Sequence, residues 1–502
     1  MGSGRRPTEE TGEPDPTGGP LTSRFVASSD GRSESSDSAT FDVVVIGGGA
    51  AGCAAALEAA RLRQRVLLVQ GRSGSVTTSS ATCAAMLRSG AKRIHSATNA
   101  LSEPLLGDAL RDAYQRIVAN AHEATRESRS VLAAMLRRAG VEVEDGVATF
   151  RPPGRIVIDG RTVLDARNVV IATGSDARRP GRFSFGDGIV CDSELLLDRG
   201  APPRSLVIIG AEEEGCELGS IYSAFGVEVT IVDRRQRLVR FIDRSLLQVF
   251  HGRMQANGLS VANGEELVDV SVDHVSKEPH ATLRLSSGRI ERCDRLLVLA
   301  GRQPRTDGID LDGLGIQRDD RGFITVGDRS ETSVPGVYAV GDVTGYPFRI
   351  GLAMHQARAA IHHITGREMQ PSVEIPLTVY GIPEASVVGM GEDPCDLLEV
   401  PNVVGTAWAE GSFDQVGPLS EDTRLKLVFG LDDMGLLGVQ IIGSSASELI
   451  HLGSHLVSSR ATAEEISGMV FNHPSQSSAY RLAALEALSR AEIGREKAGV
   501  DD

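Results

Sequence analysis

The sequence predicts an α/β fold built on two βαβ units. Two apolar, β-branched strands each run into a glycine-containing loop, at residues 41–52 and 206–215, and a helix and a second strand follow each loop. Two further apolar strands end in glycine, at residues 169–174 and 295–301. They are of the kind that returns the chain from one such unit to the next. This order indicates two doubly wound domains followed by a third, C-terminal domain.

Length and composition restrict the classes of function. The chain has 502 residues, 41% of them hydrophobic, which is enough for two to four domains with substantial cores. Its net charge of -15 argues against binding to nucleic acid or to an anionic membrane surface, because both would repel it. Six scattered cysteines lack the spacing of a disulfide framework or a zinc site, so we expect a cytoplasmic protein without a bound metal. Residues 1–40 are polar and charged, and we expect a disordered tail there.

The first βαβ unit matches the dinucleotide-binding fingerprint G-x-G-x-x-G. Its strand, loop, helix and second strand are expected at residues 41–46, 47–52, 53–62 and 65–69. Gly47 allows the tight turn, Gly49 lets backbone amides approach a pyrophosphate, and Gly52 lets the helix pack on the strand. Gln70 stands where an acidic side chain usually accepts a hydrogen bond from the ribose. An amide oxygen can still accept one, more weakly.

The second unit keeps the outer glycines of this motif and loses the middle one. Gly210 and Gly215 frame the loop, but Glu212 stands at the middle position, and two further glutamates follow it at the start of the helix. The loop therefore either still admits a nicotinamide nucleotide or is closed by its own acidic side chains, which would cap the helix N-terminus in place of phosphate.

The end of the second strand of this unit carries a mixed signal for the nucleotide. Asp233 has the position of an acceptor for the ribose 2′-OH of NAD, whereas Arg234, Arg235 and Arg237 could hold the 2′-phosphate of NADP. The arginines could equally form a solvated turn.

Four further positions, Gly174, Arg302, Gly341 and Asp342, are candidate cofactor contacts. Gly174 ends the strand VVIATG, and Arg302 follows the glycine of RLLVLAG. The segment VPGVYAVGDVTG delivers Asp342 to a loop directly after Gly341. A carboxylate beside glycine could be a turn residue that bonds its own backbone, but with the first glycine loop we favour a cofactor hydroxyl as its partner.

In this order, the motifs GGGAAG, IATGS, IIGxxxxGCE, LAGRQP and YAVGD resemble the class I pyridine nucleotide-disulfide oxidoreductases, from residue 41 to about residue 490. The segments TVYGIPEASVVG, ASELIHLGS and FNHPSQSSAYRLAALEALSR resemble most the soluble, Si-specific pyridine nucleotide transhydrogenases. The resemblance implies FAD as cofactor and NAD or NADP as substrate. It also implies that the FAD pyrophosphate lies on Gly47, Gly49 and Gly52, and that the ribityl chain contacts Asp342.

The resemblance also implies the division of the chain. Residues 41–178 and 297–370 would form the FAD-binding domain and residues 179–296 the NAD(P)-binding domain, both Rossmann-like. Residues 371–495 would form an α+β dimerisation domain, through which we expect a homodimer.

The chain departs from the family at the redox-active cysteine pair. Val76 and Ala81 align with the two cysteines, so dithiol chemistry is not expected. Cys83 lies nearby without a partner at that spacing, and we interpret it as a small buried hydrophobe.

Two candidate catalytic residues remain. The lysine that pairs with the family's glutamate aligns with Ala85, so Glu217 would tend to take up a proton unless Lys92 or Arg88 supplies a cation. His473 matches the family's catalytic His-Pro, but Ser478 aligns with the glutamate that would orient its ring. We favour a structural or interface role for His473 over that of a general base.

These observations predict a FAD-dependent oxidoreductase that transfers hydride between nicotinamide nucleotides through the flavin, without dithiols. Two alternatives stay open. One is an NAD(P)H diaphorase or quinone reductase, and the other is a FAD-binding scaffold that has lost nicotinamide-dependent activity because of Glu212.

Overall fold

The computed structural model describes residues 40–71, 79–101, 107–151, 155–369, 374–408, 423–473 and 475–498. The expected disordered tail lies outside the described residues except for Thr40, which begins the first strand. The predicted α/β class, with two doubly wound sheets and a C-terminal α+β part, is confirmed.

The first part of the chain forms most of a mixed sheet, parallel from β3 to β6 and antiparallel from β6 to β4, and the helices that cover it. Its elements are β1 (Thr40–Ile46), α1 (Ala50–Arg61), β2 (Val66–Gln70), α2 (Ser79–Leu101), α3 (Gly107–Arg138), β3 (Glu142–Asp145), β4 (Ala148–Arg151), β5 (Arg155–Ile158), β6 (Thr162–Ile171) and β7 (Ser175–Ala177). The first glycine loop joins β1 to α1, as the alternation of a buried apolar strand, glycines and an alanine-rich helix predicts.

The second part contains the second glycine loop, between β9 and α5. Its elements are β8 (Val190–Cys191), α4 (Ser193–Leu197), β9 (Ser205–Ile209), α5 (Glu213–Ala224), β10 (Glu228–Asp233), α6 (Arg244–Ala256), β11 (Leu259–Asn263), β12 (Leu267–Asp273), β13 (His280–Leu285), β14 (Ile290–Cys293) and β15 (Arg295–Val298). Five described strands form a parallel sheet in the order β11-β10-β9-β15-β8, and β12-β13-β14 form an antiparallel sheet beside it.

The chain then adds a last strand to the first sheet and ends in a separate C-terminal sheet with its helices. The remaining elements are β16 (Arg302–Pro304), α7 (Leu311–Leu314), β17 (Val337–Ala339), a 3-10 helix (Gly341–Thr344), α8 (Ile350–Ile364), β18 (Leu377–Val379), β19 (Glu384–Gly389), α9 (Glu392–Leu397), β20 (Asn402–Trp408), β21 (Arg424–Gly430), β22 (Leu436–Gly443), α10 (Ala446–Ser458), α11 (Ala463–Gly468) and α12 (Ser478–Ala498). With β17 beside β6, the first sheet has seven described strands, and the other six follow the order β3-β2-β1-β6-β5-β4. The C-terminal sheet is antiparallel, in the order β18-β19-β22-β21-β20.

The parts of the chain share buried contacts. One apolar core combines α2 and α3 with α5, α6 and the segment around β18. A buried ion cluster joins the second part to the C-terminal sheet: Lys426 bonds the carboxylate of Asp243 at 2.8 Å and the hydroxyl of Ser245 at 3.1 Å, and it also pairs with Glu392. Lys426 and Asp243 each expose only 2% of their side chains, so neither charge has water to replace a lost partner.

We expect Lys426→Met to lower the free energy of unfolding by about 3–5 kcal/mol, because it leaves Asp243 buried without its cation. Thermal unfolding monitored by circular dichroism measures the loss. The control is Lys277→Met, since Lys277 is exposed, and equal shifts of the two midpoints would contradict the prediction.

Candidate functional site

Both glycine loops open into one cleft. Each loop lies at the carboxyl end of a parallel strand, where ligands bind in doubly wound sheets. The cleft has a volume of about 1540 Å³, and its lining includes Gly47 and Gly49 from the first loop and Gly210 and Gly215 from the second. A dinucleotide on each loop would therefore meet the other within the same space.

The first loop has the geometry of a pyrophosphate cradle. Gly47 has a φ of +115°, and a Cβ there would lie 2.3 Å from the carbonyl oxygen of Ala172. A Cβ on Gly52 would lie 1.8 Å from the carbonyl oxygen of Gly47, so the helix can start this close to the strand only with glycine. A Cβ on Gly49 would meet nothing within 4 Å, because this position faces the cleft. The loop therefore leaves room for a diphosphate group at the N-terminus of α1.

The predicted carboxylate after β17 is held in a short polar chain. Arg302 Nε donates to the hydroxyl of Ser175 at 2.6 Å, and this hydroxyl donates to Asp342 at 3.0 Å. Gly174 and Gly341 have φ values of +77° and +74° and line the cleft beside this chain. The structure thus brings together the four predicted contacts Gly174, Arg302, Gly341 and Asp342. Ser175, which the sequence analysis did not single out, connects Arg302 to Asp342.

Gln70 lies at the end of β2, where the ribose acceptor was expected. Its side-chain amide donates to a carboxylate oxygen of Asp145 at 2.8 Å. Its neighbours Val69 and Gly71 are among the residues that line the cleft, and Gln70 is not. The amide is thus engaged with β3.

In the second loop, Glu212 does not cap the helix as the closed-loop hypothesis assumed. It occupies the N-cap position of α5 without a side-chain bond to the helix backbone. Its carboxylate instead pairs with Arg235 and lies 3.4 Å from Nε of Arg240. All three side chains line the cleft. An ion pair thus lies where the middle glycine would leave the loop open.

The carboxylate of Asp233 is hydrogen-bonded to other residues of the protein. It accepts the amide of Ala211 at 2.8 Å and the guanidinium of Arg235 at 2.6 Å and 2.9 Å. Although burial opposes the charged form, the bonds from Arg235 lower the pKa of Asp233. The expected ribose acceptor is therefore already saturated.

The other predicted arginines lie away from the nucleotide loop. Arg234 is exposed and is not among the residues that line the cleft. Arg237 bonds the carbonyl of Ile242 and lies 2.9 Å from the carboxylate of Asp393, so it serves the contact with the C-terminal part. Arg235 and Arg240 are instead the arginines that pair with Glu212.

The next two acidic side chains of α5 pair with cations from other elements. Glu213 accepts a bond of 2.9 Å from Arg349, which directly precedes α8. Glu217 accepts a bond of 2.9 Å from Arg88 on α2, whose guanidinium also lies 4.1 Å from the ring centre of Tyr380. Burial raises the pKa of both glutamates, and the paired arginines oppose that rise.

Of the two cations considered for Glu217, the structure provides Arg88. Lys92, one turn further along α2, pairs with the buried carboxylate of Glu384. Glu217 therefore has a cation, although the family lysine is replaced by Ala85.

None of the six cysteines, all of which lie in the described part of the chain, lines the cleft or forms a disulfide. Cys83 is buried with its thiol 3.4 Å from the carbonyl oxygen of Leu197, and burial raises its pKa to about 11. It fits the predicted buried hydrophobe. The aligned position Val76 lies outside the described residues.

His473 lies in an exposed segment before α12 and is not among the residues that line the cleft. The proline that follows it lies outside the described residues. Glu217, the other candidate, does line the cleft. Within one chain, the structure therefore does not bring the two candidates to the same place.

The described residues contain neither a metal-binding cluster nor a membrane-spanning helix. No group of three or more histidine, cysteine, aspartate or glutamate side chains there is arranged to hold a metal ion. No described helix is both long enough and apolar enough to cross a membrane.

Comparisons with known proteins agree with this geometry. Residues 41–363 match the model of the pyridine nucleotide-disulphide oxidoreductases, and residues 375–484 match the dimerisation domain of the same name. This chain belongs to the pyridine nucleotide-disulphide oxidoreductase family. As a member, it is a FAD-dependent oxidoreductase of the transhydrogenase-like kind, with NAD(P) nucleotides as its substrate class.

Sequence similarity to curated relatives covers nearly the whole chain. A soluble pyridine nucleotide transhydrogenase of Mycobacterium bovis is 30% identical over 468 residues, which cover 90% of this chain and 97% of the relative. One of Chromohalobacter salexigens is 31% identical over 466 residues and covers 90% and 98%.

Solved structures share the fold at lower identity. The HOCl-induced flavoprotein disulfide reductase RclA of Escherichia coli superposes with a TM-score of 0.78 at 21% identity, over 88% of this chain and 99% of that one. LpdA of Mycobacterium tuberculosis gives 0.76 at 24% identity, over 89% and 99%.

We expect Gly49→Ala to weaken FAD binding by about tenfold or more, or about 1.4 kcal/mol, without destabilising the apoprotein. The added methyl group meets only the cleft. Titration of the apoprotein with FAD measures the affinity, and thermal unfolding measures stability. Gly181→Ala, which also adds a methyl group in open space, is the control, and unchanged affinity in Gly49→Ala would refute the cradle.

We expect Arg88→Met to destabilise the protein in a pH-dependent way. Because the folded-state pKa of Glu217 is raised, ionising this residue in the folded state lowers stability. This loss is absent below the unfolded pKa of about 4.3, grows as pH rises from there to the folded pKa and is constant above it. Loss of Arg88 raises that pKa further, so the loss of stability, about 1–3 kcal/mol, appears at neutral pH and fades in acid.

Unfolding midpoints measured across pH about 4 to about 8 test this expectation. In the control Arg88→Met/Glu217→Gln, position 217 no longer titrates, so the difference should become nearly independent of pH. A pH-independent loss in Arg88→Met alone would contradict the role assigned to the pair.

Proposed function

We propose that this protein transfers hydride between nicotinamide nucleotides through FAD, as a transhydrogenase without dithiol chemistry. One observation carries the proposal: the cleft joins both glycine loops, and none of the six cysteines lines it. The similarity to proteins named soluble pyridine nucleotide transhydrogenase supports it. FAD, when bound, supplies a two-electron carrier that accepts hydride from one nucleotide and passes it to another.

In this proposal the first loop binds the flavin nucleotide and the second the nicotinamide nucleotide. Gly47, Gly49 and Gly52 receive the FAD diphosphate. Gly174, Arg302, Gly341 and Asp342 hold the remainder of that cofactor, where Arg302 orients Asp342 through Ser175. Gly210 and Gly215 shape the turn for the nicotinamide nucleotide, because a Cβ at either position would lie too close to a backbone carbonyl oxygen.

Glu217 is the proposed catalytic residue, and Arg88 favours its charged form. Burial in the cleft wall raises the pKa of this carboxyl, and Arg88 opposes that rise. The guanidinium 2.9 Å away favours the ionised form and holds the side chain in place. No proton has to move to or from a thiol, so the residues of the cleft have only to bind, orient and exclude water.

The domain division and the assembly are also proposals. We assign residues 41–178 and 297–370 to the FAD domain, residues 179–296 to the NAD(P) domain and residues 371–495 to the interface of a homodimer, in which His473 has an interface role. The match of residues 375–484 to a dimerisation domain supports the last assignment. A cytoplasmic location suits six unpaired thiols.

Anaerobic mixing of the purified FAD-loaded protein with NADH or NADPH tests the function. We expect either nucleotide to bleach the visible absorption of the flavin, and the oxidised form of the other nucleotide to restore it. Cys83→Ala should leave both rates within about twofold, since a buried hydrophobe exchanges no electrons. Restoration by a quinone alone would indicate a quinone reductase, and absence of bleaching would overturn hydride transfer from either nucleotide.

A further inference from the structure

The second loop presents a carboxylate to the cations that reach it. Glu212 stands at the middle glycine position, lines the cleft and pairs with Arg235 and Arg240. Arg235 is fixed in this direction by Asp233, which also holds the loop through the amide of Ala211. The loop, the end of β10 and the following turn are thereby joined in one ion cluster.

A carboxylate and a phosphate are interchangeable partners for a guanidinium. Both accept charge-assisted, often bidentate hydrogen bonds from arginine. A dinucleotide on the second loop would bring its phosphates to the helix N-terminus where Glu212 now lies. The side chain of Glu212 would both obstruct and repel it until the carboxylate leaves its arginines.

We propose that Glu212 is an autoinhibitory latch: its carboxylate holds Arg235 and Arg240 while the second site is empty, and a dinucleotide enters only by displacing it. The inference rests on the proposed function in one respect, that a dinucleotide is the ligand of this site. The latch opens readily, because about a third of each side chain of the Glu212–Arg235 pair is exposed and water screens it. It therefore reduces affinity without abolishing binding.

The third glutamate of the loop provides a matched control. Glu214 follows Glu212 by two residues, carries the same charge and also lines the cleft, but it is exposed. Glu212→Gln removes the charge at nearly constant volume, and Glu212→Gly removes the bulk as well. The backbone at Glu212 is extended, with φ -73° and ψ -168°, so neither substitution strains the loop.

Isothermal titration of the oxidised, FAD-loaded protein with NAD+ and with NADP+ measures the effect. Oxidised nucleotides do not reduce an oxidised flavin, so the readout is independent of hydride transfer. We expect Glu212→Gln to tighten the binding of both nucleotides at least about fivefold. Glu212→Gly should tighten it further, and Glu214→Gln should change it less than about twofold.

Three outcomes would overturn the latch. They are equal affinities in the native protein and both Glu212 variants, equal gains in Glu212→Gln and Glu214→Gln, and absence of binding in every variant. Failure of the proposed function looks different: the Glu212 variants would bind nucleotide tightly, and no nucleotide would bleach the flavin in any of them. Circular dichroism and FAD content confirm that each variant is folded.

Discussion

The cleft depends on a buried contact between two tyrosines. Tyr114 on α3 and Tyr222 on α5 share a hydrogen bond of 2.9 Å between their hydroxyls, and neither ring is exposed. Phe225 packs edge-on against Tyr114, with ring centres 5.4 Å apart. One hydroxyl donates to the other, so each buried hydroxyl has a hydrogen-bond partner. This contact packs the helix of the second glycine unit against α3 of the first part.

The negative charges of the acidic second loop are balanced by arginines from other parts of the chain. Negative side chains at a helix N-terminus favour the helix through its dipole, but they oppose an anionic ligand at the same place. Glu212, Glu213 and Glu217 pair with arginines that follow β10, precede α8 and lie on α2, respectively. The three arginines belong to different parts of the chain. Their ion pairs therefore connect the second loop and α5 to the first part of the chain as well as to β10.

Local patterns predicted much of the fold, and tertiary placement decided the rest. The strands and helices around the glycine loops were predicted within a few residues, because strand periodicity and glycine geometry are local. Asp233 was placed correctly at a strand end, but only the structure shows that Ala211 and Arg235 saturate it. Arg349 carried no signal in the sequence, since its partner Glu213 is 136 residues away. Ser175 stayed unnoticed because a serine after glycine is ordinary.

The ion pair between α2 and α5 supplies Glu217 with a cation from a position other than the aligned one. The helix has neither redox cysteine nor the family lysine, yet Arg88, three residues after Ala85, pairs with Glu217. Residues three apart lie on the same face of a helix, about one turn along it, and the longer arginine side chain spans that offset. Stacking on Tyr380 holds the guanidinium in this direction. The cation of the partly buried Glu217 therefore comes from the same helix as Ala85, the position that aligns with the family lysine, and lies about one turn further along it.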